Sequence, residues 1–322
     1  MPPLPRASVL VCTRNRSRVL ADACEAILAI DYPTDDWELL ILDNGSTDDT
    51  LQVAHEVAAR HPRHVSVHEH RPLGLSGARN AGIRLARGEI VAFIDDDAFP
   101  APEWLRGLEE AFAQPNVYAA GGPVDPLFTG ELPDWLAQRY LPYLSVWDLG
   151  SDTLDLAYNE YPRGTNLAFR RAAFDRFGVF SPQLGRKGKS LLSGEEVELC
   201  LRIERGGGRI LYTPKSRVRH RIDASRITPE WLAQRFAAQG RTEAIIDWRH
   251  GGFAALRCGC RRLRRYFEEA QQETGPGADL YRTCMTRSYR AYIQSALTAP
   301  LTIQRYRPGP EAGPLKPWLP FS

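Results

Sequence analysis

The amino-acid sequence predicts an α/β fold: a mostly parallel sheet flanked by helices, continued by a helical, basic C-terminal extension. Apolar runs of strand length alternate with segments of helical spacing through the first third of the chain. Three of those runs lead directly into polar clusters, Thr13-Arg14-Asn15-Arg16, Asp43-Asn44-Gly45-Ser46 and Asp95-Asp96-Asp97. The net charge of +2 also hides two opposed halves: residues 1–160 carry 12 arginines against 25 acids, and residues 161–322 carry 29 basic residues against 14 acids.

Taken in order, Ala7–Cys12 is a strand, and Ser17 stands where an N-cap belongs before a helix through Leu20, Cys24, Ile27 and Leu28. Trp37–Leu42 is a second buried strand, followed by helical spacing over Thr47–Arg60. His64–Glu69 is a weaker strand, Leu75–Arg87 a helix, Glu89–Ile94 a strong strand, and Pro102–Ala113 a helix that opens with proline and acids. Right-handed crossovers join such units most simply, so the alternation implies a parallel sheet with helices on both faces. Ligands of such sheets gather at the carboxyl ends of strands, where the polar clusters fall.

From about Gly121 the rhythm loosens into a segment bearing Pro123, Pro126, Pro133, Trp135 and Trp147, a length typical of binding loops. Asn166–Arg170 is then a short strand, Arg171–Phe177 a short helix, Gly194–Arg205 a helix, Arg209–Thr213 and Ser216–Arg221 strands, and Thr228–Trp248 a long amphipathic helix. With a boundary near Asp223, residues 1–223 form the α/β domain, 224–305 the helical extension and 306–322 a proline-rich tail, extended or disordered. Over Leu256–Phe267, Leu256, Cys260, Leu263 and Phe267 share helical spacing while Arg257, Arg261, Arg264 and Arg265 occupy other faces. This pattern suits a helix packed on its own domain or an interfacial helix on an anionic membrane.

A composition of 43% apolar and 25% charged residues excludes wholesale disorder and collagen-like architecture. No run of about 18 apolar residues predicts a membrane span, and the start MPPLPRASVL lacks a secretory h-region. Six scattered cysteines lack disulfide density and zinc-ligand spacing, which predicts reduced cytosolic thiols. Gly185-Arg186-Lys187-Gly188-Lys189-Ser190 lacks the spacing of a phosphate-binding P-loop. Charge alone leaves nucleic acid, anionic lipid and phosphate open as partners of the basic half, while the acidic half suits a metal.

Three adjacent aspartates at a strand end repel and raise one another's pKa, a conflict that a divalent cation resolves; a solvated acidic turn is the plainer alternative. Hard oxygen ligands select Mg²⁺ or Mn²⁺, bound together with substrate phosphates. The wider context narrows the choice. Ser8–Arg16 (SVLVCTRNR), Asp43–Asp48 (DNGSTD), Gly77–Gly82 (GARNAG) and Phe93–Asp97 (FIDDD) occur in that order, followed by Arg163–Arg170 (RGTNLAFR), Gly194–Leu199 (GEEVEL) and Val218–His220 (VRH). Across roughly residues 7–222 the chain resembles family 2 glycosyltransferases of the GT-A fold.

That resemblance implies an inverting, metal-dependent transfer of a sugar from a nucleoside-diphosphate sugar, UDP being the commonest in the family. The acceptor is a sugar, lipid-linked or polymeric hydroxyl in surface polysaccharide or glycoconjugate synthesis. By the same resemblance Asp43 reads the nucleotide base, with Thr13, Arg14 and Asn15 lining its pocket and Arg79 close by. Asp95 and Asp96 face ribose or metal, Asp97 is the direct metal ligand, and His220 is a metal or diphosphate neighbour. The catalytic base falls on Glu196, second of a Glu-Glu pair where the family has Glu-Asp, with Glu195 as the alternative. The loop at Arg186–Lys189 either closes over the diphosphate or is a flexible solvated turn, Gly164-Thr165-Asn166 shapes the sugar or acceptor side, and Trp135 and Trp147 either stack on sugars or belong to the core.

Read alone, Asp43 also suits a D-N-G turn and the two glutamates a helix N-terminus. Two rival functions have distinct signatures. A sugar-phosphate nucleotidyltransferase wants a glycine-rich phosphate loop after the first strand, and Thr13–Arg16 contains no glycine. A non-catalytic nucleotide-sugar-binding or membrane-scaffolding protein would bind donor without turnover. The expected setting is cytoplasmic, peripheral at the inner face of the membrane through residues 256–267, with no nucleic acid as partner.

Overall fold

The computed structural model describes residues 5–309. The elements run β1 (Ala7–Thr13), α1 (Leu20–Leu28), β2 (Trp37–Asp43), α2 (Thr50–Arg60), β3 (Val65–Glu69), α3 (Leu75–Leu85), β4 (Ile90–Ile94), β5 (Ala98–Pro100), α4 (Trp104–Ala113), β6 (Val117–Gly121) and β7 (Val124–Phe128). They continue with β8 (Leu154–Asp155), β9 (Asn166–Arg170), α5 (Arg171–Phe177), α6 (Glu195–Arg205), β10 (Arg209–Tyr212), β11 (Val218–Ile222), α7 (Pro229–Gln271) and α8 (Ala278–Thr302). An eight-stranded sheet has the order β3-β2-β1-β4-β9-β6-β10-β8. β1 through β4 are parallel where they pair, as are β6 and β10, whereas β9 runs antiparallel between β4 and β6.

The strands are apolar throughout because both faces are covered. Ala7, Val9 and Val11 of β1, with Leu39 and Ile41 of β2, pack on one face against Leu20, Cys24 and Ile27 of α1 and Leu105 and Leu108 of α4. Their alternating neighbours Leu10, Leu40 and Leu42 join Ile83 of α3 and Leu199, Cys200 and Ile203 of α6 on the other face. This is the period-two alternation of a pleated strand expressed in two cores.

The expected GT-A-type α/β sheet and helical C-terminal region are both present. The differences are local. Ser17 does not cap α1, whose N-cap is Val19; its hydroxyl donates instead to Asp48 at 3.0 Å, tying the loop after β1 to the loop after β2. The segment after Gly121 contains β7, which pairs with β11, and β5 completes a second, three-stranded sheet on the other edge of β11. β11 overlaps the expected strand Ser216–Arg221, whereas β5 and β7 are too short for periodicity to reveal.

The helices around Thr228–Trp248 and Leu256–Phe267 form one element, α7, broken at Gly252 where φ is 61°, a conformation that glycine adopts without strain. α8 packs back along it. Leu256 and Leu263, with half-buried Cys260, lie in a shared core with Tyr292 and Ala299 of α8, so most of the apolar stripe on that segment faces inward. Tyr306, at the head of the proline-rich tail, donates its backbone N–H to Arg249 O and sits under the Arg202 guanidinium; residues 310–322 of that tail lie outside the described residues.

Candidate active site

The carboxyl ends of β1, β2 and β4 open on two adjoining cavities of about 510 and 210 Å³. Thr13, Arg14, Asn15, Asp95, Asp96, Asp97 and His220 line the larger one; Arg79, Glu195 and Glu196 line the smaller, and Asp95 borders both. Asp43 lines neither. Its Oδ2 accepts from the backbone N–H groups of Gly45 and Ser46 at 3.1 Å each, as the turn reading expects, while its buried Oδ1 has no partner. Neighbouring Asn44 reaches the larger cavity in its place. Asn15, at φ 55°, accepts from the Thr47 N–H at 2.8 Å, which locks the two loops together.

The small sheet explains the acidic cluster. β5 begins immediately after Asp97 and pairs with β11 so that Ala98 opposes His220, and Arg221 N–H donates to Asp97 O at 2.8 Å. His220 Nε2 is thereby held 3.3 Å from Asp97 Oδ1, and Arg16 approaches Asp97 Oδ2 at 3.1 Å. Burial works against ionisation of Asp97, but the His220 contact and the Arg16 charge outweigh it and draw its pKa down to about 2. Burial and the adjacent Asp97 charge push Asp96 the other way, to about 7. One oxygen each from Asp95 and Asp97 and a ring nitrogen of His220 lie within 4.8 Å of one another. His220 Nδ1 is buried without a partner. This oxygen-rich set, completed by a nitrogen, fits a hard divalent ion such as Mn²⁺.

The second cavity is organised by Arg79, which is 3% exposed on α3. Its guanidinium donates to Glu195 Oε1 at 2.9 Å and to Gly164 O at 2.9 Å, and lies 3.5 Å from Asp95 Oδ1. The antiparallel register Ile94 with Asn166 sets Thr165 beside Asp95, whose Oδ2 accepts from the Thr165 hydroxyl at 2.8 Å. Asn166 itself is a buried staple, bonded to Trp104 and Ser216, away from both cavities. Gly194 at φ 86° turns the chain into α6, placing Glu195 and Glu196 in its first turn. Glu195 is buried on Arg79, and burial with the Glu196 charge pushes its pKa up to about 7. Glu196 is half-buried and makes no hydrogen bond to a described side chain.

Arg186, Gly188 and Ser190 of the basic loop line the larger cavity. Trp135 and Trp147 take the core alternative, packing edge-on against Tyr140 and Tyr212. Residues that sequence reasoning did not single out also line the site: Arg226 and Trp231 in the larger cavity, Arg235 and Glu243 in the smaller. They lie beyond Asp223, and no motif marks them; the only signal is the basic excess of the second half.

Together the fold and this site define a sugar-transferring enzyme of the GT-A class. Residues 8–178 match the sequence profile of Glycosyl transferase family 2, and the chain belongs to that family. It is similar to the glucosyl-dolichyl phosphate glucuronosyltransferase of Haloferax volcanii, with 30% identity over 257 residues covering 75% of this chain and 77% of that one. Glycosyltransferase AglE of the same organism is 31% identical over 204 residues, 63% of each chain. Among solved structures, a mannosyltransferase from Pyrobaculum calidifontis in complex with GDP-mannose and Mn²⁺ superposes with a TM-score of 0.55 at 23% identity, over 93% of this chain and 88% of its own, a likeness of fold. The chain is thus a glycosyltransferase.

Proposed function

We propose that this enzyme is an inverting, metal-dependent glycosyltransferase that uses a nucleoside-diphosphate sugar, with Glu196 as the base. The observation that carries the proposal is the division of labour between two neighbouring acids: Glu195 is buried on Arg79, whereas Glu196 is half-buried and faces the cavity. Asp95, Asp97 and His220 would hold Mn²⁺ or Mg²⁺, which when bound neutralises the negative charge developing on the departing diphosphate. Arg186 and Arg226 face the same cavity and add positive charge there. Thr13, Arg14 and Asn15 receive the nucleoside, Asp43 acts behind them by holding the Gly45–Ser46 turn, and Asp96 borders the same cavity beside Arg16.

In the transfer, the Glu196 carboxylate takes the proton of the acceptor hydroxyl as the hydroxyl oxygen bonds to the anomeric carbon. The bond from that carbon to the diphosphate oxygen breaks, and its electron pair leaves with the nucleoside diphosphate. A single displacement inverts the carbon, with no glycosyl-enzyme intermediate, as in inverting chemistry generally. Glu196→Gln tests this. Release of nucleoside diphosphate in the presence of acceptor falls by about 10²-fold or more, while donor binding persists; an unchanged rate contradicts the assignment.

The named relative in Haloferax acts, by its name, on a dolichyl phosphate-linked sugar, which supports a lipid-linked acceptor here. No helix among the described residues is long and apolar enough to cross a membrane. An apolar groove between α7 and α8, lined by Phe253, Leu256, Ile293 and Leu297, is flanked by Arg257 and Arg261. Phe253 is 68% exposed, Leu297 73% and Leu301 86%. Apolar side chains ringed by arginine suit a surface of anionic lipid, which would place the enzyme peripherally beside such an acceptor.

A further inference from the structure

Beside Glu196 the smaller cavity holds two arginines that face that one carboxylate and no other free acid of the cavity. Arg163 sits just ahead of β9 and Arg235 on the second turn of α7, and both line the cavity. Neither guanidinium donates a hydrogen bond to a described residue. Arg163 Nε and Arg235 Nη1 are shut off from solvent without an acceptor, and the Arg163 group lies 5.7 Å from the centre of the Trp147 ring. The buried arginines of the core differ from these two half-buried ones: Arg79 is paired with Glu195, Arg202 with Glu198 and Arg262 with Glu243.

Burial lowers the pKa of both arginines; the Glu196 charge opposes this in each, and the charges of Arg226 and Arg163 lower that of Arg235 further. Two desolvated cations sharing one carboxylate are costly, and a ligand that carries a second counter-charge removes the cost. The acids of this cavity are otherwise engaged. Glu195 and Asp95 face Arg79, Glu243 faces Arg262, and Glu196 is needed as a base. The planar guanidinium fork matches carboxylate and phosphate.

We infer that Arg163 and Arg235 bind an oxyanion, phosphate or carboxylate, carried by the substrate sugar that enters beside Glu196. This inference rests on the placement of the base at Glu196. The pair is separate from Arg226, which faces the larger cavity with the metal ligands; Arg186 borders both cavities. The oxyanion has two possible sources, the phosphate of a glycosyl-phosphate acceptor or the carboxylate of a transferred uronic acid.

The test titrates glucose 1-phosphate, glucuronate and glucose into the full-length enzyme by calorimetry, with and without saturating nucleoside diphosphate and Mn²⁺. The proteins are wild type, Arg163→Gln, Arg235→Gln and Arg235→Lys. One charged probe binds at least tenfold more tightly than glucose, each glutamine variant abolishes that preference, and Arg235→Lys retains part of it. The thermal midpoint of unliganded Arg235→Gln stays level or rises, because one of two neighbouring cations that share Glu196 is removed. A phosphate preference assigns the oxyanion to the acceptor. A carboxylate preference, together with tighter binding of a nucleoside-diphosphate glucuronate than of the matching glucose compound, assigns it to the transferred sugar. Equal affinity for all three probes overturns the inference, as does a preference that survives in both glutamine variants. The nucleotide arm reads the donor site separately: its failure counts against the proposed transferase chemistry, while the probes measured without nucleotide still decide the arginine pair.

Discussion

Arg79 Nη1 lies 2.9 Å from Glu195 Oε1, with both side chains almost fully buried in the wall of the smaller cavity. The same guanidinium holds Gly164 O and faces Asp95, so one residue on α3 joins the start of α6, the entry to β9 and the end of β4. The Phe93 and Phe180 rings, each 5.6 Å from its central carbon, fix its plane. We assign Arg79 as a positioning residue that sets the first turn of α6, and with it Glu196, against the aspartates.

Arg79→Lys keeps the charge but cannot span three acceptors. Turnover falls about tenfold to a hundredfold, as expected when reacting groups shift by about an ångström. Nucleoside diphosphate affinity changes by less than threefold. A kcat/KM profile in which only the donor KM moves would show that Arg79 acts on the nucleotide instead.

Glu198 forms the second buried junction, accepting from Arg202 at 2.8 Å and lying 3.0 Å from His250 and 3.3 Å from Arg249. Burial opposes its ionisation, but Arg202, His250 and Arg249 together draw its pKa well below the usual carboxylate range. A depressed carboxylate pKa contributes stability that is present above the unfolded value, about 4.3, and is lost as pH falls toward the folded one. Glu198→Gln therefore destabilises by about 3–5 kcal/mol at neutral pH. Thermal midpoints of the two proteins converge below about pH 4, and a gap that stays constant from pH 7 to pH 3 contradicts this account.

The apolar groove between α7 and α8 gives a third expectation. In flotation with vesicles containing phosphatidylglycerol the wild type rises with lipid, and a Phe253→Ser/Leu297→Ser double variant stays at the bottom with its thermal midpoint unchanged. Both side chains are exposed, so their loss costs little stability. Equal flotation of both proteins, or indifference to anionic lipid, removes the membrane reading.

Much of this was legible before the structure, for physical reasons that differ along the chain. The central strands are buried on both faces, and such strands appear in sequence as continuous apolar runs; β1, β2 and β4 are three of them. Polar clusters after those strands mark the sheet's carboxyl edge, which is why Thr13 to Asn15 and Asp95 to Asp97 fall in one cavity. His220 was placed by resemblance, and the pairing of β5 with β11 supplies the physical reason for its position. Arg226, Trp231 and Arg235 were not legible, because a helix that contributes one or two side chains to a distant cleft carries no local pattern. α8 lies within the helical extension expected over 224–305, but its own bounds carried no signal, because its residues bury only part of one face and show no strong periodicity.

The central claim is that the Asp95, Asp97 and His220 cluster with the adjoining cavity is a metal-dependent nucleotide-sugar site. The most direct measurement is thermal stabilisation by UDP, GDP, CDP and dTDP, each with and without Mn²⁺, on wild type and Asp97→Ala. A nucleotide at 100 times its Kd adds about 2.7 kcal/mol. One nucleotide stabilises the wild type only when Mn²⁺ is present, and Asp97→Ala loses that gain while remaining folded. Stabilisation that is independent of the metal, or that survives in Asp97→Ala, contradicts the claim.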